Sequence, residues 1–217
     1  MRVVVGLGNP GREYERTRHN IGWMALDSLA ARIGATRFHR EKSMQSAEGR
    51  QAGQRVYLLK PQTYMNRSGQ ALASWLGWFG EIREAIREQS AEAATNGPVC
   101  VWPGLMVVAD DVNLPLGKLR FRSSGSAGGH NGLSDIAKAL GGGGYPRLRL
   151  GIGLPPEVMD RTDYVLARFG ADELPVVDKT AEVAAEALEL WIGKGISSAS
   201  DRYNGMAAGD GADAAEK

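Results

Sequence analysis

This chain carries three histidines for near-neutral proton transfer, and His19 follows a glycine turn by eight residues. The segment reads Gly6-Leu7-Gly8-Asn9-Pro10-Gly11 and then Thr17-Arg18-His19-Asn20. Histidine is the side chain whose unperturbed pKa lies nearest neutrality, so His19 is the first candidate for a general acid or base. Arg16 and Arg18 flank it and suit a phosphate-bearing substrate. Two further constellations, Tyr64-Met65-Asn66 and Gly128-Gly129-His130-Asn131-Gly132, add carboxamides that can orient such a substrate. A lone histidine beside arginines is ordinarily a surface residue; the company His19 keeps is what gives it weight.

Asp110 and Asp111 end an apolar run and are read either as solvated loop carboxylates or as a partner for His19. A carboxylate beside an imidazole fixes its tautomer. Spacing does not say which of the two faces inward, and no metal-ligand set stands out around them. Asn66 and Asn131 have ordinary readings as turn formers or helix caps. A carboxamide both donates and accepts, so each can also hold a carbonyl or a nucleophilic water. The Gly125-Ser126-Ala127-Gly128-Gly129 run argues for a mobile loop beside Asn131. Lys118, Arg120 and Arg122 form one cationic strip, with Arg147 and Arg149 as neighbours, a plausible phosphate track. His39, beside Arg37 and Arg40, is read as surface.

Gly6-x-Gly8-x-x-Gly11 after a strand matches the dinucleotide fingerprint literally. Pro10 removes an N–H from the loop that should cradle pyrophosphate, and the Arg-Thr-Arg-His segment delays the helix that should start within the motif. Asp27 lies near the expected acidic position but inside a proposed helix. The turn is better read as presenting Asn9 at the carboxyl edge of a sheet, where α/β ligand sites collect.

The elements that must position these residues follow from periodicity. Arg2–Leu7, Arg55–Lys60 and Leu105–Ala109 read as strands, the first and last as buried apolar runs. Lys118–Arg122 and Arg147–Leu150 alternate strictly, with apolar residues on one face and cations on the other. Ile21–Ile33 has helical spacing and ends before Gly34; Ser68 is expected to cap a helix through Phe79. Ser134–Leu140 reads as helix and Glu173–Ile192 as a long amphipathic one. Strands alternating with helices predict an α/β fold, a single domain with a twisted mixed β-sheet flanked by helices. The domain is expected over 1–204, with a surface insertion near 84–103 and a disordered, acidic tail over 205–217.

A length of 217 residues fits one domain, and 43% hydrophobic residues suffice for its core. A net charge of +1 means that any nucleic-acid binding rests on local clusters of Lys and Arg. The single Cys100 excludes an intramolecular disulfide and a multi-cysteine zinc site, which points to a reducing, cytoplasmic setting. The amino terminus runs straight into a strand pattern without a leader, and no stretch reaches the ~18 apolar residues of a membrane span.

The ordered set matters more than any one motif. Val5-Gly6-Leu7-Gly8-Asn9-Pro10-Gly11, Tyr14, Thr17-Arg18-His19-Asn20, Lys60-Pro61-Gln62-Thr63-Tyr64-Met65-Asn66, Asp110-Asp111, Gly128-Gly129-His130-Asn131-Gly132-Leu133 and Arg147-Leu148-Arg149-Leu150-Gly151-Ile152-Gly153 together resemble bacterial peptidyl-tRNA hydrolase. The resemblance runs from Met1 to Asn204 and implies a three-layer, monomeric α/β fold that cleaves the ester between a stalled peptide and its tRNA. By position it makes His19 the catalytic base, Asp110 its supporting carboxylate and Asn9, Asn66 and Asn131 the family's asparagines. Tyr14 and Tyr64 match its tRNA-contacting aromatics, and Arg122 and Arg149 its phosphate-contacting cations. The implied partner is peptidyl-tRNA, gripped at acceptor stem and peptide end, with no metal, cofactor or membrane. Three departures stand out: Ala109 where histidine is frequent, Asn113 where aspartate is usual, and a longer stretch from Glu84 to Pro103.

Overall fold

The computed structural model describes residues 1–88 and 102–206. They form a seven-stranded sheet: β1 (Arg2–Gly6), β2 (His39–Glu41), β3 (Met44–Gln51), β4 (Gln54–Pro61), β5 (Leu105–Asp111), β6 (Leu119–Arg122) and β7 (Arg147–Gly151). Their order is β2-β3-β4-β1-β5-β7-β6. The four central strands β4, β1, β5 and β7 are parallel; β2, β3 and β6 pair antiparallel at the edges. The helices are α1 (Ile21–Arg32), α2 (Ser68–Trp78), α3 (Gly80–Glu88), α4 (Asn131–Leu140), α5 (Arg161–Leu166) and α6 (Leu174–Tyr203).

Both faces of the sheet are covered, which is why β1 and β5 at its centre carry apolar runs without alternation. Val4, Val108, Leu148 and Leu150 pack with α1 and α6; Val3, Val5, Val107 and Ala109 pack with α2 and α4. This is the expected three-layer α/β arrangement. Chain order reverses beside β1, which sends the chain to β4 on one side and later receives β5 on the other. The crevice at the carboxyl ends of β1 and β5 is therefore the switch point where ligand sites form in such sheets.

Two glycines set the distance between α1 and that crevice. A Cβ on Gly22 would lie 2.6 Å from the Leu7 carbonyl oxygen and 2.7 Å from that of Val108, while one on Gly6 would meet the Gly22 carbonyl at 2.6 Å. The first turn of α1 thus rests directly on β1 and β5, and the residues just before it overhang the end of β5.

Several boundaries differ from the sequence reading. Ser68 is the first helical residue of α2 and not its cap; its hydroxyl donates to the Met65 carbonyl (2.9 Å). The Asp135 carboxylate of α4 accepts instead from the Gly69 and Gln70 amides (2.7 and 3.2 Å). The α6 helix runs past Ile192 to Tyr203, with one non-helical residue at Gly195 (φ 82°), a conformation that glycine tolerates. The proposed insertion is not wholly superficial: Ile82 lies just before it, and Trp102 within it is buried in the core layer of α2 and α4. Of the residues assigned to the tail, Gly205 accepts a hydrogen bond from Lys118 and Met206 packs on the core. The insertion begins within α3, and its residues 89–101, like residues 207–217 of the tail, lie outside the described residues.

Candidate active site

His19 sits in a short 3-10 turn, Arg18–Asn20, between the β1 loop and α1. That turn is tied down from the far side. The Arg18 amide donates to the Ala167 carbonyl (3.0 Å) and the Phe169 amide to that of Arg16 (3.3 Å). The buried Arg18 guanidinium makes a two-pronged contact with Glu173 (2.6 and 2.9 Å) and lies over the rings of Tyr164 and Phe169. Arg16 pairs with Asp178 at 2.8 Å. Arg18, which the sequence reading gave to a phosphate, is instead committed to the scaffold and holds the turn that carries His19, while the Arg16 pair lies exposed at the surface.

From this turn His19 Nδ1 reaches Asp110 Oδ1 at 2.7 Å. His130 Nε2 contacts the same oxygen at 3.0 Å. All three side chains are buried. Their protons can be placed from their neighbours. The amides of Gly132 and Leu133, in the first turn of α4, both point at His130 Nδ1 (3.1 and 3.3 Å). That nitrogen must therefore offer a lone pair, which puts the His130 proton on Nε2, where it is donated to Asp110. An ionised carboxylate only accepts, so His19 also donates, from Nδ1. In the neutral ring its Nε2 then carries the lone pair, and His19 lines the cavity. His130 does two jobs: it caps α4 and steadies the carboxylate.

Burial alone would raise the Asp110 carboxyl pKa, but the electrostatic attraction of His19, then of His130, which grows as the rings gain protons in acid, and the hydrogen bonds from both rings outweigh it. The group is held well below the usual carboxylate range and stays ionised near neutrality.

The nitrogens and oxygen of this trio lie near enough together to be considered for a metal ion. Their 2.7 and 3.0 Å separations are those of direct hydrogen bonds, whereas two ligands on one tetrahedral zinc stand roughly 3.3 Å apart. The donor set fits a proton-bearing triad better than a metal centre.

Asp111 resolves the ambiguity between the two aspartates. Its Oδ2 accepts from Arg149 (3.0 Å) and its Oδ1 from the Asn113 amide and side chain (2.9 and 3.3 Å). Arg149 donates further to the Ser126 carbonyl (2.9 Å). Arg147, fully buried, donates to the carbonyls of Gly125, Ser126, Gly143 and Tyr145. Arg161 donates to that of Gly128 at 3.3 Å. Three guanidiniums thus hold the glycine-rich loop that composition suggested to be mobile.

Asn9 is fixed at the end of the β1 turn. Its amide donates to Asn20 Oδ1 (2.8 Å), and Asn20 Nδ2 returns a bond to the Asn9 carbonyl (3.0 Å). Its own Oδ1 accepts from the Met65 amide (2.8 Å), which leaves its NH2 group for the cavity. Asn66 follows in the 3-10 turn Met65–Arg67, and Asn131 is the first residue of α4, with His130, not Asn131, in the capping position. The Asp135 bridge between α2 and α4 keeps these two turns facing one another.

One cavity of about 270 Å³ gathers Asn9, Tyr14, His19, Tyr64, Asn66, Asp110, His130, Asn131 and Arg149. Tyr64 stands exposed at its rim (62%). Arg122 is elsewhere. It lies on β6 in register with Arg147, while Asp110 is level with Leu150 further along β7, so Arg122 belongs to an exposed strip leading away from the cavity. His39 is exposed on β2, as expected.

The dinucleotide reading finds no frame. The helix after β1 begins only at Ile21, and Asp27 lies within it, bonded to Lys60 of β4. Sequence reasoning missed the role of His130 and the presence of Arg161. The first had a signal, being one of only three histidines.

The family model for peptidyl-tRNA hydrolase matches residues 3–86 and 93–210. Over 204 residues the chain is 46% identical to a peptidyl-tRNA hydrolase of Chloroflexus aggregans, covering 94% of this chain and 99% of the relative. Over 204 residues it is 40% identical to one from Synechocystis, covering 94% and 95% of the two chains. The crystal structure of peptidyl-tRNA hydrolase from Acinetobacter baumannii matches with a TM-score of 0.80 at 29% identity, over 96% of each chain. This chain belongs to the peptidyl-tRNA hydrolase family.

Proposed function

We propose that the chain hydrolyses the ester joining peptide to tRNA by general-base catalysis at His19, without a metal, and so recycles tRNA from prematurely released chains. The observation that carries this is the His19–Asp110 bond of 2.7 Å, which leaves His19 Nε2 as a lone pair on a cavity lined by three asparagines. Nε2 takes a proton from water as the water oxygen attacks the ester carbonyl, and Asp110 stabilises the positive charge that grows on the ring. Asn66 and Asn131 position the water and the substrate and donate to the developing oxyanion. The Asn9 NH2 group meets the peptide end, which favours a blocked over a free amino group. Collapse of the tetrahedral intermediate expels the ribose oxygen, which takes the proton back from the imidazolium.

Tyr14 and Tyr64 offer ring faces for the terminal adenosine, and the Arg120–Arg122 strip follows the acceptor stem. Arg149 lines the cavity with its charge already paired to Asp111, so its part in binding phosphate is secondary to fixing the wall. The described residues contain no helix long and apolar enough to cross a membrane. We place the enzyme in the cytoplasm, acting as a monomer.

The test is cleavage of N-acetylaminoacyl-tRNA by purified protein in EDTA, with the unblocked ester and His19→Ala in parallel. Release that needs His19, survives chelation and favours the blocked ester is expected. Tight tRNA binding without release would make the chain an RNA-binding protein and not a hydrolase.

A further inference from the structure

The cavity holds one charge that the mechanism does not use. Of its charged lining residues, Asp111 and Arg149 neutralise each other at 3.0 Å, and Asp110 is held by His19 and His130. Arg161 is different. It lies at the start of α5 on the cavity wall, exposed, with a single long hydrogen bond of 3.3 Å from Nη2 to the Gly128 carbonyl. Among the described residues no carboxylate lies within ion-pair distance of it; that of Asp160, the neighbour in sequence, is turned to the Thr162 amide (2.7 Å). A guanidinium has five N–H donors in a planar fork, so most of the recognition capacity of Arg161 is unspent.

We propose that Arg161 grips the phosphodiester attached to the terminal ribose of the substrate. The inference rests on the reading that the cavity takes the ester end of a tRNA-linked peptide. On such a molecule the peptide carries charge only where its sequence supplies it. The phosphodiester on the esterified ribose is an anion that every substrate brings. An uncompensated cation on the wall of the ester-binding cavity matches the constant anion, and its planar fork suits two phosphate oxygens. Glycine opposite it leaves room for that approach: a Cβ on Gly129 would stand 3.3 Å from Arg161 Nη1. This gives the site a way to measure tRNA at its last nucleotide, before the acceptor stem is reached.

The experiment uses the full chain as wild type, Arg161→Gln and Arg161→Lys on two small esters. One is an N-acetylaminoacyl ester of adenosine, which has no phosphate; the other is the same ester of cytidylyl-adenosine, which has one. A third, an adenosine ester with an acidic peptide side chain, tests the other source of an anion. Arg161→Gln is expected to lower kcat/KM for the dinucleotide ester by about ten- to a hundredfold, the worth of a charge-assisted hydrogen bond, and to leave the neutral nucleoside ester unchanged. Arg161→Lys should restore part of the loss. An equal loss on both esters would make Arg161 a brace for the Gly128 loop and overturn the proposal. So would a loss confined to the acidic peptide, or no loss at all. If the wild type cleaves none of these esters and leaves blocked tRNA intact, the hydrolase reading fails. The proposal then stands or falls on binding alone: cytidylyl-adenosine should bind the wild type more tightly than adenosine, and Arg161→Gln should abolish that difference.

Discussion

Asp110 and Asp111 are consecutive residues at the carboxyl end of β5, both are buried, and both line the same cavity. Their partners differ in kind. Asp110 is bonded to two imidazoles; Asp111 is bonded to a guanidinium and to Asn113. A guanidinium is charged at every accessible pH, so Arg149 exchanges no proton with Asp111 and the pair serves first as structure. An imidazole has two states near neutrality, and a carboxylate beside it can follow a proton on and off the ring. One strand end thus supplies a reactive wall and a rigid wall side by side.

The widest separation of the two is expected in catalysis. His19→Ala and Asp110→Asn should each lower kcat/KM for a blocked aminoacyl-tRNA by about 10³-fold, the range for a general base and its orienting carboxylate. Asp111→Asn should cost far less in rate. Comparable losses at both aspartates, in folded proteins, would end the distinction.

The rigid wall should appear in stability. Arg149→Met strands a buried carboxylate, at a cost of about 3 kcal/mol, measurable by urea unfolding. Adding Asp111→Asn removes the stranded charge, so the double variant should recover much of the loss. If the two changes simply add, the pair is not a coupled unit.

His130 belongs to both comparisons, because it caps α4 with one nitrogen and supports Asp110 with the other. His130→Asn keeps a side-chain acceptor for the α4 amides and loses the bond to Asp110. It should fold with near-normal stability and turn over about tenfold more slowly, whereas His130→Ala should lose about 1 kcal/mol in addition. The Asp110 interaction also gives acid behaviour a definite sign. Its folded pKa is depressed, so its stabilisation is present above the ordinary aspartate value of about 4 and is lost as pH falls below it. Asp110→Asn should therefore show a shallower loss of stability than wild type between neutral pH and acid.

How much of this could be read beforehand depends on the range of the signal. β1, β5 and α1 were legible because burial on both faces, or on one stripe, writes itself into consecutive residues. The β2–β3 pair was not: Met44-Gln45-Ser46-Ala47-Glu48-Gly49-Arg50-Gln51 is a mostly polar strand held by pairing with β4. The six residues of α5 are too few for a periodic signal. His19, Asp110 and the asparagines could be named from motifs, and the resemblance paired the first two, while the partners of the arginines could not be read. Arg18 finds Glu173 at a separation of 155 residues and Arg149 finds Asp111 across 38, distances at which spacing carries no information. For that reason the scaffold arginines were read as phosphate binders: composition shows a cation but not whether its charge is already answered.

That lesson also sets the smallest effect. Arg120 and Arg122 alternate outward on β6 with Leu119 and Phe121 turned inward, and among the described residues neither has an ion-pair partner. Arg149 has one. If answered and unanswered cations differ in kind, Arg122→Gln should leave stability unchanged and weaken tRNA binding modestly, with the slope of log K against log salt falling by about one. The small nucleoside ester, which does not reach the strip, should be cleaved at the wild-type rate. Arg149→Met should show the reverse: reduced stability, and a salt slope much nearer to that of wild type. A full unit of slope lost at Arg149 would mean that its pair with Asp111 opens to take a phosphate, and the wall would then be a second binding element instead of a support.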